Sequence, residues 1–418
     1  MIIKPYSLEK LSQAMHHGDA CLIYSNDEKK RNHDVCYPFR PSSHFQYLST
    51  LSETCCAIVL QKNLNDIKVS VFKRPFSAKE ALWTSPRMEI SNILNDPLVS
   101  DAYDISTLSS FLQTMIRTCD RLYIDKNDAF SLSATSGFTD EHIADLNPLI
   151  GQCRLYKTDE EISLISKAIH LSHLGHVNAM EIAKPGVNEA QLMHAFFEPA
   201  SHQGISSWAY PPIVAGGTNA CVLHYIDNNQ TVHDNELVLI DAGIEFKGYA
   251  SDITRTFPVN GTFTEPQRLL YETVLTVQIE AIKQIHGGVS FQEIGEIAKE
   301  TMLQQLIDIK FFTGSIDEHR DKQSLSKYFY HGLGHWLGLD VHDPCPYKSN
   351  QSPLLFSEGM VFTIEPGIYV KPNSDVDKKW HGIGIRIEDN ILMGEKSPTV
   401  LSNMIPKEAK TIEEICQR

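Results

Sequence analysis

Long apolar runs, a surplus of basic residues and a leader-like start are all missing from this chain. No window approaches about 18 consecutive apolar residues, so a membrane-spanning helix is not expected. Lysine and arginine number 37 against 52 aspartates and glutamates, which disfavours nucleic-acid or anionic-membrane binding because both need a basic face. The opening MIIKPYSLEKLSQAMHHGD lacks an apolar segment of roughly 7–15 residues, so a secretory signal is not expected.

Paired cysteine motifs are also missing. The chain has nine cysteines, an odd number, and none of them forms a Cys-x-x-Cys pair. An odd count in a long chain without this motif is typical of reduced, mostly structural thiols in a cytoplasmic protein and not of a disulfide framework.

The 418 residues exceed one ordinary domain of about 150 residues. In the first 150 residues, short apolar runs at 55–61, 67–73 and 121–125 predict strands, and 106–118 has helical spacing. We therefore expect a smaller mixed α/β domain over residues 1–154. A boundary near 151–158 precedes Thr158 and Glu161, which have the spacing of a capping box.

In residues 155–418, the sequence pattern predicts pairs of helices followed by pairs of strands. A long helix is predicted from Thr158 to just before Lys184-Pro185, a second begins at Asn188, and a third begins at Ser290. Predicted strands lie in ELVLIDAG, YASDITRTFPV, MVFTIEPGIYV and GIGIRIEDNILM. This order is typical of an α+β domain and not of a doubly wound sheet.

Two aspartates flank the predicted strand-turn-strand in LVLIDAGIEFKGYASDITRTF. A turn centred between Phe246 and Lys247 would place Asp241 directly opposite Asp252. Facing carboxylates need a shared proton or a cation between them. The alternative is two solvated aspartates near a turn, although the apolar run before Asp241 argues against it.

Two glutamates follow apolar strands in the same way. Glu365 follows VFTI, and Glu388 follows GIRI on the strand face that also carries Arg386. Exposed strand glutamates or a structural ion pair between Glu388 and Arg386 are the alternatives.

Four of the 18 histidines stand out by their context. His224 lies in CVLHY, whereas His331, His335 and His342 lie in the glycine-rich segment HGLGHWLGLDVHD. That segment is not an HExxH zinc helix, and each histidine taken alone is more often structural. Four carboxylates with one or two histidines nevertheless suit Mn²⁺, Co²⁺ or Zn²⁺, and five ligands suit two ions, which together would generate a hydroxide nucleophile at neutral pH.

These motifs resemble the methionine aminopeptidase/prolidase/creatinase superfamily, and most closely aminopeptidase P. The resemblance rests on CVLHY, IDAG, GYASDITRTFPVNG, HGLGHWLGLDVHD, TIEPG, GIGIRIEDNI and the N-terminal CYPFRPSSHFQYLS. It implies a C-terminal pita-bread catalytic domain over residues 155–418. It also implies an N-terminal domain that contributes to oligomerisation and to the edge of the pocket. Trp83 resembles a tryptophan that approaches a neighbouring subunit's pocket, or it is an ordinary buried aromatic.

The resemblance also implies a role for each site residue. Asp241 would hold one metal, His335 and Glu365 the other, and Asp252 and Glu388 both. The non-ligand histidines His224 and His342 would polarise the scissile carbonyl or move protons, and Glu365 would shuttle the proton of the nucleophile. Matches to further motif positions place His331 and Arg386 beside the ligands.

The implied activity is hydrolysis of the N-terminal Xaa-Pro bond of Xaa-Pro-Yaa peptides by two divalent ions, most often Mn²⁺. The implied assembly is a homodimer or homotetramer. A prolidase acting on Xaa-Pro dipeptides and a metal-free pita-bread binding protein remain the alternatives.

Overall fold

The structure is a computed structural model that describes residues 1–64, 66–77, 79–85 and 87–418. The chain divides into two compact units, Met1–Arg154 and Leu155–Arg418. Within the described ranges, no helix is both long enough and apolar enough to cross a membrane.

A mixed sheet forms the centre of the first unit. The strands are β1 (Asp19–Tyr24), β2 (Lys30–Asn32), β3 (Val35–Cys36), β4 (Cys56–Lys62), β5 (Ile67–Lys73), β6 (Asp101–Asp104), β7 (Arg121–Ile124) and β8 (Ile143–Asp145). The sheet has the order β6-β5-β4-β1-β7-β8, and β2 pairs with β3 in a separate ribbon. The helices are α1 (Pro5–Ala14), α2 (Ser43–Leu48), α3 (Ile90–Ile93), α4 (Leu108–Met115), α5 (Ala129–Ala134) and α6 (Leu146–Leu155).

The predicted elements of this unit are confirmed with small shifts. The runs at 55–61 and 67–73 are the antiparallel strands β4 and β5, and 121–125 contains β7. The segment 106–118 contains α4, preceded by a 3₁₀ turn. Trp83 is 82% exposed, so the alternative of an ordinary buried aromatic is wrong.

Capping side chains begin the long helices of the second unit. The helices are α7 (Asp159–Ile182), α8 (Glu189–Ser201), α9 (Glu265–Lys283), α10 (Phe291–Asp308), α11 (Ile316–Asp321) and α12 (Ala409–Cys416). The capping boxes predicted at Thr158 and Ser290 are both formed, and Asn188 caps α8 in the same way. Each box satisfies two main-chain N–H groups that the first helical turn leaves unpaired.

Antiparallel strands form the other layer of this unit. They are β9 (Ile213–Gly216), β10 (Leu237–Asp241), β11 (Glu245–Phe246), β12 (Tyr249–Ala250), β13 (Thr254–Pro258), β14 (Lys348–Ser349), β15 (Ser352–Pro353), β16 (Val361–Ile364), β17 (Gly367–Val370), β18 (Ile383–Arg386), β19 (Asp389–Met393) and β20 (Pro398–Val400). The main groupings are β13-β10-β9, β16-β19-β20 and β17-β18. The predicted α+β class is confirmed.

The core of this unit lies between its helices and strands. Ile240 of β10, Phe257 of β13, Val274 of α9 and Ile385 of β18 are fully buried in one apolar cluster. Each such side chain contributes roughly 1.5–3 kcal/mol by leaving water. This burial fixes the positions of the strands. The acidic residues lie at the strand ends or beside them, so their positions are fixed as well.

The predicted pairing of Asp241 with Asp252 is wrong by two residues. Asp241 pairs with Thr254, because the two-residue turn lies at Lys247-Gly248 and not at Phe246-Lys247. Both turn residues have positive φ, 49° and 89°, as a tight hairpin turn with right-handed strand twist requires. A shift of two residues keeps the same face of the strand, so the two aspartates are still diagonal neighbours.

Candidate metal centre

All nine residues predicted for the site line a single cavity of about 390 Å³. They come from strand ends and loops of the second unit, and Leu223, Gly332, Gly334 and Tyr347 complete the wall. The nine residues are His224, Asp241, Asp252, His331, His335, His342, Glu365, Arg386 and Glu388. The structure therefore brings together a set that the sequence spreads over 165 positions, from 224 to 388.

The aspartates share a tyrosine that the sequence analysis did not single out. The hydroxyl of Tyr210 lies 2.6 Å from Asp241 Oδ1 and 2.5 Å from Asp252 Oδ1. A phenol has only one proton to donate, so two ionised carboxylates cannot both be satisfied by it. The opposing backbone is close here, since a Cβ on Gly243 would lie 1.8 Å from the Ser251 carbonyl oxygen.

Glu388 lies between β18 and β19 and is almost completely buried. The hydroxyl of Thr254 donates to its Oε2 over 2.7 Å. Its other oxygen, Oε1, has no hydrogen-bond partner among the residues that the structure describes. A buried carboxylate oxygen without a donor is costly, so this atom needs a proton or a cation.

His335 directs one ring nitrogen at the carboxylates. Its Nδ1 lies 3.1 Å from the Trp336 carbonyl oxygen, which can only accept, so Nδ1 carries the proton. Nε2 lies 3.2 Å from Asp252 Oδ2 and 3.5 Å from Glu365 Oε1. In the neutral ring, Nε2 is therefore a lone-pair donor surrounded by anionic oxygens, as a metal-ligating histidine requires.

Arg386 pairs with a different carboxylate from the one predicted. Its Nη2 lies 2.6 Å from Asp241 Oδ2, whereas the sequence suggested an ion pair with Glu388. Nη1 donates to the Tyr369 hydroxyl at 2.9 Å, and Nε donates to the Thr254 hydroxyl at 3.1 Å. Folding brings Asp241 on β10 across to β18, a pairing that the local strand pattern could not indicate.

The remaining histidines lie around this centre. The Tyr369 hydroxyl is 2.8 Å from His331 Nε2, and His331 Nδ1 is 3.8 Å from Glu365 Oε2. The rings of His335 and His342 meet edge to face with centroids 4.1 Å apart. His342 and His224 are exposed at the mouth of the cavity, where a bound molecule could reach them.

Burial and mutual repulsion shift the ionisation of the acidic groups upward. Burial raises the pKa of Asp241, opposed by Arg386 and reinforced by Asp252. Burial and the charge of Asp252 raise the pKa of Glu388 well above its usual range. Burial raises the pKa of Glu365 to about 7. In the metal-free site, the raised pKa values thus disfavour simultaneous ionisation of all the acidic groups.

The histidine pKa values shift in opposite directions. Burial lowers the pKa of His335, but its hydrogen bond to Asp252 and the nearby carboxylates raise it to about 9 overall. Burial and the charge of Arg386 lower the pKa of His331 to about 4. Burial and the neighbouring His335 lower the pKa of His342.

The donor set fits divalent cations. Three groups of side chains bring their ligand atoms within 4.8 Å of one another: Asp241, Asp252 and Glu388; His335, Glu365 and Glu388; and Asp252, His335 and His342. The partnerless Glu388 oxygen, the aspartate oxygen that receives no proton from Tyr210 and the inward Nε2 of His335 would each be satisfied by a cation. Oxygen and imidazole donors suit Mn²⁺, Co²⁺ and Zn²⁺.

Four residues that surround the centre were not predicted from the sequence: Tyr210, Thr254, Tyr369 and Asn390. Each contacts a site residue far away in sequence, such as Thr254 with Glu388 and Tyr369 with Arg386. The only signal available was proximity, since Thr254 lies two residues after Asp252 and Asn390 lies two residues after Glu388.

Comparison with known proteins assigns both parts of the chain. Residues 163–395 match the model of metallopeptidase family M24, and residues 8–123 match the aminopeptidase P N-terminal domain. The Xaa-Pro aminopeptidase of Haemophilus influenzae is 37% identical over 404 residues, covering 96% of this chain and 94% of that protein.

Solved structures agree over nearly the whole length. Proline aminopeptidase P II from Yersinia pestis superposes with a TM-score of 0.93 at 32% identity, covering 98% of both chains. A variant of Escherichia coli aminopeptidase P in complex with substrate gives a TM-score of 0.93 at 31% identity, covering 100% of this chain and 99% of that chain. The predicted pita-bread fold and its smaller N-terminal domain are confirmed, and the chain belongs to metallopeptidase family M24, in the aminopeptidase P branch of that family.

Proposed function

We propose that this chain is an Xaa-Pro aminopeptidase that removes the first residue from Xaa-Pro-Yaa peptides with the help of two divalent metal ions. The observation that carries the proposal is the convergence of four carboxylates and His335 in one cavity, on a fold shared with Xaa-Pro aminopeptidases. A metal-free binding protein would have no need of this costly acidic cluster.

We assign Asp241 to one ion, His335 and Glu365 to the other, and Asp252 and Glu388 to both. The last two residues each share one close ligand group with Asp241 and another with His335, which supports a bridging role. When bound, the ions would polarise the scissile carbonyl and lower the pKa of a water molecule. We propose Mn²⁺ as the physiological metal, supported by the oxygen-rich donor set.

The chain's own side chains would handle the protons and the developing charge. Glu365 Oε2 is the atom assigned to accept a proton from the attacking water and to return it to the departing proline nitrogen. His342 and His224 at the mouth of the cavity would donate to the carbonyl oxygen as negative charge develops there. His331 is oriented by Tyr369 and stays neutral near pH 7, since its pKa lies at about 4.

Arg386 orients Asp241 and is not available as a clamp for a peptide carboxylate. Its three kinds of nitrogen are engaged by Asp241, Tyr369 and Thr254. No other lysine or arginine lines the cavity within the described part of the chain. A prolidase must hold the free carboxylate of a dipeptide, so the site favours tripeptides and longer substrates.

The substrate's proline explains the need for a dedicated enzyme. Proline at the second position has a fixed φ and no N–H, which general peptidases handle poorly. The free α-amino group of Xaa would be drawn to the carboxylates of the site. The site would therefore select both the free N-terminus and the proline.

The test compares kcat/KM for Ala-Pro, Ala-Pro-Ala and acetyl-Ala-Pro-Ala, with Mn²⁺ and after chelation. We expect cleavage of the tripeptide alone, lost on chelation and restored by Mn²⁺ or Co²⁺. Preference for the dipeptide would instead identify a prolidase. Full activity in verified metal-free protein would overturn the dinuclear assignment.

The assembly and cellular location are part of the same proposal. We expect a homodimer or homotetramer to which residues 1–154 contribute, supported by Leu82 and Trp83, which are both 82% exposed. Exposed large apolar side chains next to each other are typical of contact surfaces. A cytoplasmic location is supported by the nine cysteines, since none of them forms a disulfide with another described residue.

A further inference from the structure

Two strand segments that carry metal-site carboxylates run side by side in opposite directions in the second unit. One runs from Asp252 into β13, and the other runs from β18 into β19. From one pair of opposing residues to the next, the number rises by two in the first segment and falls by two in the second, as in an antiparallel ladder. The rungs of this side-chain ladder are Asp252 with Asn390, Thr254 with Glu388, and Thr256 with Arg386.

The first rung is built by the Asn390 side chain. The Asp252 N–H donates to Asn390 Oδ1 over 3.2 Å, and Asn390 Nδ2 donates back to the Asp252 carbonyl oxygen. A carboxamide has the donor and acceptor of a peptide group, so it replaces the main chain of a partner strand. Asn390 is fully buried, and its own N–H donates to Ser402 Oγ at 3.0 Å.

The third rung uses a hydroxyl in the same way. Thr256 Oγ1 lies 3.0 Å from the Arg386 carbonyl oxygen, to which it donates. It also accepts from the Arg386 N–H over 3.3 Å. One hydroxyl can do both at once, and Thr256 is completely buried, so no water competes for these bonds.

The middle rung joins the ladder to the site itself. The Glu388 N–H donates to the Thr254 carbonyl oxygen at 3.1 Å, and Thr254 Oγ1 donates to Glu388 Oε2 at 2.7 Å. Arg255 Nη1 donates to both the Thr254 and Glu388 carbonyl oxygens, which holds the two main chains together. Glu388 thereby presents only its partnerless Oε1 to the cavity.

We infer that this side-chain ladder sets the spacing between the Asp252 and Glu388 carboxylates, and that Asn390 and Thr256 are positioning residues for the metal centre. Asp252 and Glu388 are far apart in sequence, and their buried negative charges repel each other. Spacer side chains on either side of the middle rung fix the separation that this repulsion would otherwise widen. The inference rests on the proposed function, since it assigns these carboxylates to both ions.

The test measures Mn²⁺ binding and not catalysis. Asn390→Leu and Thr256→Val remove the spacer hydrogen bonds with little change in shape. We expect each substitution to lower the affinity for at least one of the two Mn²⁺ ions by about 10–100-fold. This is the usual effect of removing a side chain that hydrogen-bonds a metal ligand. Free Mn²⁺ is counted by its electron paramagnetic resonance signal during titration. Thr256→Ser keeps the hydroxyl, so this variant should bind both ions with the affinity of the unaltered chain.

Matched controls separate positioning from general damage to the fold. Asn178→Leu removes a bond from Nδ2 to the Ala195 carbonyl between α7 and α8, and Thr273→Val alters a buried threonine in α9. Both should bind Mn²⁺ normally even where their thermal stability falls as far as that of the ladder variants. If Asn390→Leu does not fold, the Thr256→Val and Thr256→Ser pair decides alone.

Failure of the ladder inference and failure of the proposed function would give different results. Native Mn²⁺ affinities in Asn390→Leu and Thr256→Val, or equal losses in the controls, would overturn the ladder inference and leave the proposed function intact. An unaltered chain that binds no Mn²⁺ would overturn the proposed function, and the ladder inference with it.

Discussion

Arg386 Nη2 lies 2.6 Å from Asp241 Oδ2, and this ion pair joins β18 to the end of β10 inside the site. The same guanidinium also holds Tyr369 and Thr254, so one buried side chain orients three neighbours of the proposed ions. A planar group with several fixed N–H donors can do this, whereas an ammonium group cannot span the same three acceptors.

Replacing Arg386 with lysine should therefore weaken the centre although the charge is kept. We expect Mn²⁺ affinity or kcat to fall by about 10–100-fold, because Asp241 loses its orientation. Arg268→Lys is the control, since Arg268 is 39% exposed and bonds Glu413 on the surface. Metal titration with kinetics checks both variants, and native behaviour of Arg386→Lys would refute the orienting role.

Substitution of a metal ligand should lower the metal content of the protein, whereas substitution of a nearby residue that is not a ligand should not. Asp252→Asn should lower metal occupancy and nearly eliminate kcat. His342→Ala should keep both ions and lose about 10²–10⁴-fold in rate, the scale of a proton-transfer or oxyanion group. Elemental analysis of the purified variants decides. His342 offers a ligand atom within 4.8 Å of those of Asp252 and His335, so metal loss in His342→Ala would reassign it as a ligand.

Metal should stabilise the fold more strongly as pH rises. In the metal-free chain, folding raises the pKa of Glu365 from 4.5 to about 7 and that of His335 from 6.5 to about 9. A raised folded pKa stabilises the protein at low pH, and that stability is lost as pH rises through the folded value. Bound cations take the place of these protons, so the loaded chain does not suffer this loss.

Calorimetric Tm values with Mn²⁺ and with a chelator measure this difference. The gap between them should widen from pH 5 to pH 9, and comparing the two forms at each pH cancels groups outside the site. A gap that narrows over this range would contradict the assignment of Glu365 and His335 as ligands.

Gly243 should tolerate no side chain. A Cβ there would lie 1.8 Å from the Ser251 carbonyl oxygen and 3.0 Å from the Tyr210 ring, next to both aspartates. We expect Gly243→Ala to cost about 1–3 kcal/mol of unfolding free energy and to displace Asp252. Gly295→Ala in α10 is the matched control, because no atom lies within 4 Å of the added Cβ, and it should be neutral or stabilising by about 0.5–1 kcal/mol. Urea unfolding compares the two, and equal stabilities would show that the hairpin can open at Gly243.

Much of the molecule could be predicted because its signals are local. A capping box needs Thr158 and Glu161 only three residues apart, and apolar runs predict strands such as β10 and β16. Three of the four acidic ligands follow such runs directly, so their types and order could be predicted before any fold was known. The hairpin register was misread because the two turn residues with positive φ are Lys247 and Gly248, and not Phe246 and Lys247.

The sequence by itself thus determined the elements, the donor set and the family that it resembles. Only the tertiary structure decided which groups meet: Arg386 with Asp241, Tyr210 with both aspartates, and Asn390 with Asp252. These partners are separated by 31 to 145 residues, and hydrogen bonding at such a distance leaves no periodic pattern in the chain. Each pairing follows from the packing of apolar strand and helix faces, which brings distant strand ends together and leaves their polar groups to satisfy one another.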